Sequence, residues 1–173
     1  MRLVRGARAL VAACLALFML GWVPSGSEAR PIEMADRVVV RKAERRLLLM
    51  QGERVLRSYQ IALGLSPKGH KQREGDFRTP EGNYRLSGRN PNSDFFLAIQ
   101  VNYPGPEDLR RAAAEGVPPG GQIMIHGQPN RPSKSVEYYR TRDWTNGCIA
   151  VSNADMVEIW LMTPDNTPIQ ILP

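Results

Sequence analysis

The sequence predicts a mainly β fold with a few short helices, and three observations carry that reading. Val38-Val39-Val40 is a β-branched run, the type that suits a pleated surface. Residues 54–61 alternate in polarity with a period of two. Only two stretches, 106–115 and the one that Asn153 can cap, read as helix. The length of 173 residues, 42% of them hydrophobic and 23% charged, fits one domain and argues against wholesale disorder.

In chain order, Val38-Val39-Val40 opens the first strand. Arg45-Arg46-Leu47-Leu48-Leu49-Met50 follows as the second, and Gln51-Gly52-Glu53 turns it into a third. In that third strand Val55, Tyr59 and Ile61 are expected to face one way, and Leu56, Ser58 and Gln60 the other. Residues 64–82 are rich in glycine, proline and charge and read as a loop. Tyr84-Arg85-Leu86 and Phe95 to Val101 read as further strands. Pro106 to Glu115 has a proline at its start, acids in its first turn and Gly116 beyond it, which predicts a short helix. Ile123-Met124-Ile125 is a strand running into His126-Gly127. Residues 128–147 read as a long loop, and Cys148-Ile149-Ala150-Val151 as a strand. Asn153 can cap a helix presenting Met156, Ile159 and Trp160 on one face. Pro168 to Leu172 closes the chain as a last strand.

The N-terminus differs from the rest. MRLVRGAR carries three arginines and no acid, Ala9 to Val23 is an uncharged run of fifteen residues, and Ser27-Glu28-Ala29 offers small residues at peptidase spacing. This order is that of a secretory signal, expected over residues 1–29 with cleavage after Ala29, leaving residues 30–173 as the working domain. An uncleaved anchor is the alternative, although a spanning helix usually needs about 20 apolar residues. Removal of the leader takes three arginines and one glutamate from a chain of net charge +6, leaving it mildly basic. For an exported chain that charge suits an anionic wall or membrane surface, and nucleic acid is not an expected partner.

Cleavage would also remove Cys14 and leave Cys148 as the single cysteine, unable to form an internal disulfide. A lone thiol in such a compartment is either buried packing or a reactive group. Cys148 follows Gly147 where a loop meets a strand, and His126 ends another strand. A free thiol ionises near pH 8.5, so only about 3% of it is thiolate at neutral pH and a nucleophilic cysteine needs a base. An imidazole in reach supplies one and can return the proton to a leaving amine. Backbone N–H groups around Gly147 and Cys148 could hold the resulting oxyanion.

His126-Gly127, then Thr145-Asn146-Gly147-Cys148-Ile149 and Asn153, resembles the signature of the L,D-transpeptidase (YkuD-type) catalytic domain. Ala62-Leu63-Gly64, Pro67, Gly69, Lys71, Gly75-Asp76, Thr79-Pro80, Gly82 and Tyr84 agree with it, so the resemblance runs from about Val38 to the C-terminus. It implies a single L,D-transpeptidase-like β domain acting on peptidoglycan stem peptides, with no metal or other cofactor. By that resemblance Cys148 is the nucleophile and His126 the proton acceptor and donor, with Gly147 and Asn146 completing the catalytic motif. The thiolate attacks the carbonyl of the third stem residue, D-alanine leaves, and an amine resolves the thioester to give a 3→3 cross-link. A wall stem or a lipoprotein is the acceptor to be distinguished. Two positions depart from the family pattern. Asn146 stands where the residue is usually His, and Ala150 where it is often Arg or Asn. Asn146 can donate hydrogen bonds but cannot take a proton. Hydrolysis of the same thioester, or a wall-binding module without turnover, are the rival readings.

Gly127, Thr145, Tyr139, Trp144 and Arg142 are the candidate substrate-binding residues, the last three from the loop between the two motifs. Packing under a long loop accounts for Tyr138, Tyr139 and Trp144 equally well, and solvated charge is the default for Arg131, Lys134, Arg140 and Arg142. Thr79-Pro80-Glu81-Gly82 reads as a turn closing the 64–82 loop, and His70 as a solvated loop histidine. Asn153 is expected to tie down the cysteine loop, to cap a helix, or both.

Overall fold

Eight strands form one continuous ladder in a computed structural model that describes residues 31–173. The expected leader over residues 1–29 lies outside the described residues. β1 (Arg37–Arg41) pairs antiparallel with β2 (Arg46–Gln51), and β2 with β3 (Arg54–Gln60). The chain order across the sheet is β3-β2-β1-β8-β4-β5-β6-β7, where β8 is Pro168–Leu172 and lies parallel to β1. The mainly β class expected from the sequence is therefore the observed one.

β4 (Gly82–Ser93) is the hinge of this arrangement. Its first residues, Gly82 to Arg85, pair with β8, while Leu86 to Ser93 pair with β5 (Phe96–Val101). One long strand thus serves two sheet segments. From sequence this strand ends at Leu86, because Gly88, Asn90, Pro91 and Asn92 are poor strand formers. Register breaks between Leu86 and Gly88 and between Asn90 and Ser93 absorb those residues. β5 then pairs with β6 (Met124–His126), and β6 runs parallel to β7 (Ile149–Ala150).

The two edges of the ladder come together beyond β3. Ala62 exchanges both backbone hydrogen bonds with Ala150, at 2.8 Å each, and Gly64 bridges Thr145. The segment after β3 thereby ties the far end of the ladder to the strand that follows Cys148.

The alternation expected in the third strand is corrected by a bulge. Leu49 faces Arg57 and Met50 faces Val55, so Leu56 is the extra residue on β3. That extra residue inverts the face of everything before it. Leu56 and Tyr59 are buried with Leu47 and Leu49, and Val55 is left 49% exposed.

α1 (Pro106–Glu115) occupies the range its start and stop signals indicate. α2 (Val136–Thr141) is a single short helix inside what the sequence reads as an unbroken loop. α3 (Asn153–Met162) buries Met156 and Ile159 against the core that Ile99, Ile125 and Ile149 share. Its N-cap is Ser152, whose side chain accepts from Asp155 N–H, so Asn153 is not the capping residue. That frees the Asn153 side chain for another task.

Candidate active site

β6 and β7 run side by side with Ile125 opposite Ile149 and His126 opposite Ala150. This register sets Cys148, just before β7, level with Met124, two residues before His126, so the His126 and Cys148 side chains fall on the same face of the strand pair, although 21 intervening residues separate them in sequence. Both line a cleft of about 670 Å³, together with Phe95, Gln122, Met124, Trp144, Thr145 and Asn146.

His126 is 4% exposed. Its Nδ1 lies 2.7 Å from the Gly127 carbonyl oxygen. A carbonyl only accepts, so Nδ1 carries the proton and Nε2 is left with its lone pair. Burial pushes the imidazole down to about 4, while the Gly127 carbonyl pulls it upward. The resting ring at neutral pH is therefore a neutral base. Phe95 packs on it with ring centroids 4.7 Å apart, and Trp144 meets it edge-on at 5.6 Å.

Cys148 is half-buried, and burial pushes its thiol up; the Met124 N–H and the Lys71 ammonium act in the opposite direction. The thiol donates to the Gln122 carbonyl at 3.5 Å. At rest the two groups are thus a neutral thiol and a neutral imidazole. Hydrogen bonds of this kind commonly tighten only with substrate bound.

The turn that presents Cys148 is built around Thr145. Its buried Oγ1 donates to the Cys148 carbonyl at 2.8 Å and accepts from the Gly147 N–H at 3.1 Å. The Gly147 N–H, expected to face an oxyanion, is therefore spent inside the turn. Gly147 has φ +131°, and a Cβ there would stand 2.7 Å from the Arg78 carbonyl oxygen. Only glycine meets both demands. The preceding residues are pinned in turn: Trp144 and Thr145 N–H groups both donate to the Leu63 carbonyl. Asp143 accepts from the Leu63 N–H at 2.9 Å and pairs with Arg45 at 2.7 Å.

The other sequence-level candidates divide sharply. Trp144, Thr145 and Asn146 line the cleft, and Asn146 is exposed at its edge. Gly127 does not line it; a Cβ on Gly127 would lie 2.5 Å from Asn153 Oδ1 and 3.1 Å from the Phe95 carbonyl, so glycine there permits close packing. Tyr139 lies behind Trp144, ring to ring at 5.1 Å, with its hydroxyl accepting from Ser133 N–H at 3.2 Å. Arg142 is exposed at the end of α2. Neither reaches the cleft, because α2 turns this part of the loop back onto itself. Asn153 accepts from Gln128 N–H at 2.8 Å, so it holds the segment after His126 and not the cysteine turn.

His70 is not the solvated loop residue expected. Its Nδ1 accepts from the Glu81 N–H at 2.8 Å, and its Nε2 meets Asp108 Oδ1 at 2.9 Å beside Arg111. It joins the 64–82 loop to α1. Thr79-Pro80-Glu81-Gly82 is structural as well: the buried Lys42 ammonium donates to Gly69 O, Thr79 O and Glu81 Oε1. Phe95, Gln122 and Asp143 are parts of the site that do not stand out in the sequence. Phe95 gave one signal, the Ser-Asp turn in front of a strand. A carbonyl acceptor such as that of Gln122 carries no side-chain signal at all. Among the described residues no group of three or more His, Cys, Asp or Glu side chains is placed to hold a metal.

The family model described as the L,D-transpeptidase catalytic domain, YkuD, matches residues 35–171. YafK of Escherichia coli (strain K12), a relative whose L,D-transpeptidase name is itself provisional, is 32% identical over 118 residues, which are 66% of this chain and 40% of YafK. The crystal structure of Pgp2, a helical cell shape determining protein of Campylobacter jejuni, aligns with TM-score 0.59 and 26% identity over 78% of this chain and 46% of that one. An L,D-transpeptidase from Xylanimonas cellulosilytica shares the fold, with TM-score 0.52 and 17% identity over 80% of this chain and 61% of that one. The chain thus spans less than half the length of YafK and of the solved Pgp2 chain.

Proposed function

The chain belongs to the L,D-transpeptidase (YkuD) catalytic-domain family, and from that premise we propose that it is an exported peptidoglycan L,D-transpeptidase using Cys148 and His126. The observation that carries this reading is the placement of an unspent imidazole nitrogen and the thiol in one cleft, on the same face of β6 and the start of β7.

The chemistry follows from the protonation states. With Nδ1–H held by the Gly127 carbonyl, Nε2 takes the thiol proton as sulfur attacks the carbonyl carbon of the third stem residue. Because burial disfavours both charged forms, proton transfer accompanies attack, and no standing thiolate–imidazolium pair precedes it. The Cys148 N–H is the donor for the oxyanion, since the Gly147 N–H already serves Thr145. Collapse expels D-alanine, whose nitrogen takes the proton from Nε2, and leaves a thioester on Cys148. An acceptor amine then attacks the thioester and passes its proton to Nε2. The carbon–sulfur bond breaks, and the proton returns to sulfur.

Hydrolysis is the second reading, favoured by one observation. Asn146 occupies the exposed edge of the cleft where relatives of this motif usually carry His, so that edge offers an acceptor amine hydrogen bonds but no proton exchange. Purified disaccharide-tetrapeptides separate the outcomes: cross-linked dimers support transfer, shortened monomers support hydrolysis, and unchanged substrate supports a binding module. Intact-mass spectrometry after exposure to a carbapenem tests the nucleophile directly. Wild type is expected to gain one acyl adduct, and Cys148→Ala none. Cys148→Ser is expected to be nearly as inert, since its hydroxyl is far harder to ionise. An adduct on Cys148→Ala would mean that the nucleophile is elsewhere.

A further inference from the structure

The turn between β4 and β5 is held with unusual completeness for an exposed loop tip. Asn130, from the segment after His126, donates through Nδ2 to the Ser93 carbonyl at 2.9 Å and accepts at Oδ1 from the Phe96 N–H at 3.0 Å. Its own N–H donates to the Asp94 carbonyl at 2.9 Å. Ser93 Oγ accepts from the Phe95 N–H at 3.0 Å. Phe96 sits at φ +68°, a conformation that residues with a side chain avoid and that persists only where its surroundings impose it. Gly127 lets this turn approach His126 closely: a Cβ at 127 would meet Phe96 Cβ at 3.0 Å and Phe95 O at 3.1 Å.

What the clamped turn delivers is the Phe95 ring. It is 36% exposed, a large apolar side chain left partly in water, and its inner face covers the imidazole at 4.7 Å with a tilt of 40°. Trp144 stands across from it, 5.9 Å from Phe95 and 5.6 Å from His126, with its indole N–H fixed to the Tyr139 carbonyl at 3.1 Å. Burial of Tyr139 behind Trp144 thus has a use: it fixes the second wall of the same enclosure.

We propose that Phe95, presented by the Asn130-clamped turn, is a positioning residue for the candidate base, sealing the His126 ring from water against Trp144 and leaving only its outer nitrogen open to the cleft. This rests on the reading of His126 as the base in the function proposed above. The same seal accounts for the ring's neutrality, because desolvation is the largest influence on its protonation. Few charges compete with it. Cys148 and Asp94 are the titratable side chains that share the cleft lining with His126. Arg131 lines the adjoining groove beyond Phe95, and Asp143 is tied to Arg45. β5 and β6 present no titratable side chain other than His126 itself, and the nearest α3 side chain, Asn153, is neutral.

The test is the pH titration of the His126 ring protons by NMR in the substrate-free protein, assigned with a His70→Gln variant as reference. Wild type is expected to titrate near pH 4, Phe95→Ala at least one unit higher, towards the ordinary histidine value of about 6.5. Phe95→Leu keeps an apolar cover and is expected to fall between them. Asn130→Ala, which releases the turn but keeps the ring, is expected to move the same way by less. The ratio of carbapenem acylation at pH 5.5 to that at pH 7.5 is expected to be lower in Phe95→Ala than in wild type, falling toward the roughly tenfold deficit that a histidine titrating near 6.5 would give. A folded Phe95→Ala protein whose His126 still titrates with wild type overturns the proposal. Because NMR needs no turnover, that result is distinct from a failure of the acyl-transfer reading, which would show as no adduct on any variant.

Discussion

His126 and His70 are the two histidines of the chain, and the difference between them is how many ring nitrogens their surroundings consume. Both nitrogens of His70 are engaged, one by the Glu81 N–H and one by Asp108, with Arg111 closing the cluster. His126 spends Nδ1 on the Gly127 carbonyl, is walled by aromatic rings, and keeps Nε2 for the cleft. The same contrast extends to their neighbours. Around the 64–82 loop the buried cations Lys42 and Lys71 are paired with Glu81 and Asp76. Around Cys148 the turn is paired through Thr145, and the thiol keeps only a long contact of 3.5 Å to the Gln122 carbonyl. Complete pairing makes a scaffold, because every buried polar group that is satisfied resists motion and protonation. A group left unpaired in a walled cleft is available for chemistry.

The largest effect expected from breaking this division comes from the turn that separates scaffold from thiol. Gly147→Ala would set a Cβ 2.7 Å from the Arg78 carbonyl and 3.2 Å from Ile123 Cδ1, at a φ of +131° that side chains avoid. Arg78 belongs to the paired loop, so the clash would drive the two regions apart. Carbapenem adduct formation is expected to fall to background in that variant, even in preparations whose circular dichroism shows a folded sheet. Acylation near the wild-type rate would mean that the turn tolerates a second geometry.

Exchanging the two histidines for inert residues sharpens the comparison next. His126→Ala keeps the thiol but removes the base, and general-base assistance is typically worth about 10²–10⁴-fold. Its acylation is expected to be slow at neutral pH and to recover partly as pH rises toward the thiol's own value. His70→Ala strips a partner from Asp108 and leaves the Glu81 N–H without its acceptor. Asp108 keeps Arg111, Tyr84 and the Gly105 N–H, so the main loss is the orphaned Glu81 N–H, worth about 1–3 kcal/mol, and thermal stability is expected to drop while the acylation rate of the folded protein holds. A His70 variant that stays stable but loses acylation as fully as the His126 one would reverse the assignment.

Much of this was legible in the sequence because strands, one helix and the two motifs are local patterns. α1 and β8 fall where Pro106–Glu115 and Pro168–Leu172 indicate, since proline, acids and alternating isoleucines act on their own residues. The length of β4 was not legible, because Gly88 and Pro91 contradict a strand and only the pairing with β5 overrides them. The face of Val55 is not legible in the sequence, because the bulge at Leu56 is set by the partner strand. At the site, His126 and Cys148 stand out by residue type, whereas Tyr139 and Arg142 lie close to the motif in sequence but away from the cleft in space. His70 shows the converse: nothing in a glycine- and lysine-rich loop announces an aspartate 38 residues away.

The smallest effect expected lies wholly inside the paired region and is read from pH. Burial acts to raise the Asp76 carboxyl, but the Lys71 ammonium at 2.8 Å and the N–H groups of Gln72, Arg78 and Arg73 outweigh it and hold the group at about 2. The unfolded chain would release that proton near 3.8. A carboxyl depressed on folding stabilises the fold above its unfolded value, and the contribution is lost as pH falls through the folded one. Between pH 4 and pH 2 the melting temperature of wild type is therefore expected to fall more steeply than that of Asp76→Asn, with the gap between them narrowing toward pH 2. At neutral pH the variant is expected to be the less stable of the two, because the buried Lys71 loses its counter-charge. Parallel melting curves across the whole range would mean that the ammonium and carboxylate of this loop are no more than a solvated pair. The boundary between a spent scaffold and an open site would then stop at His70.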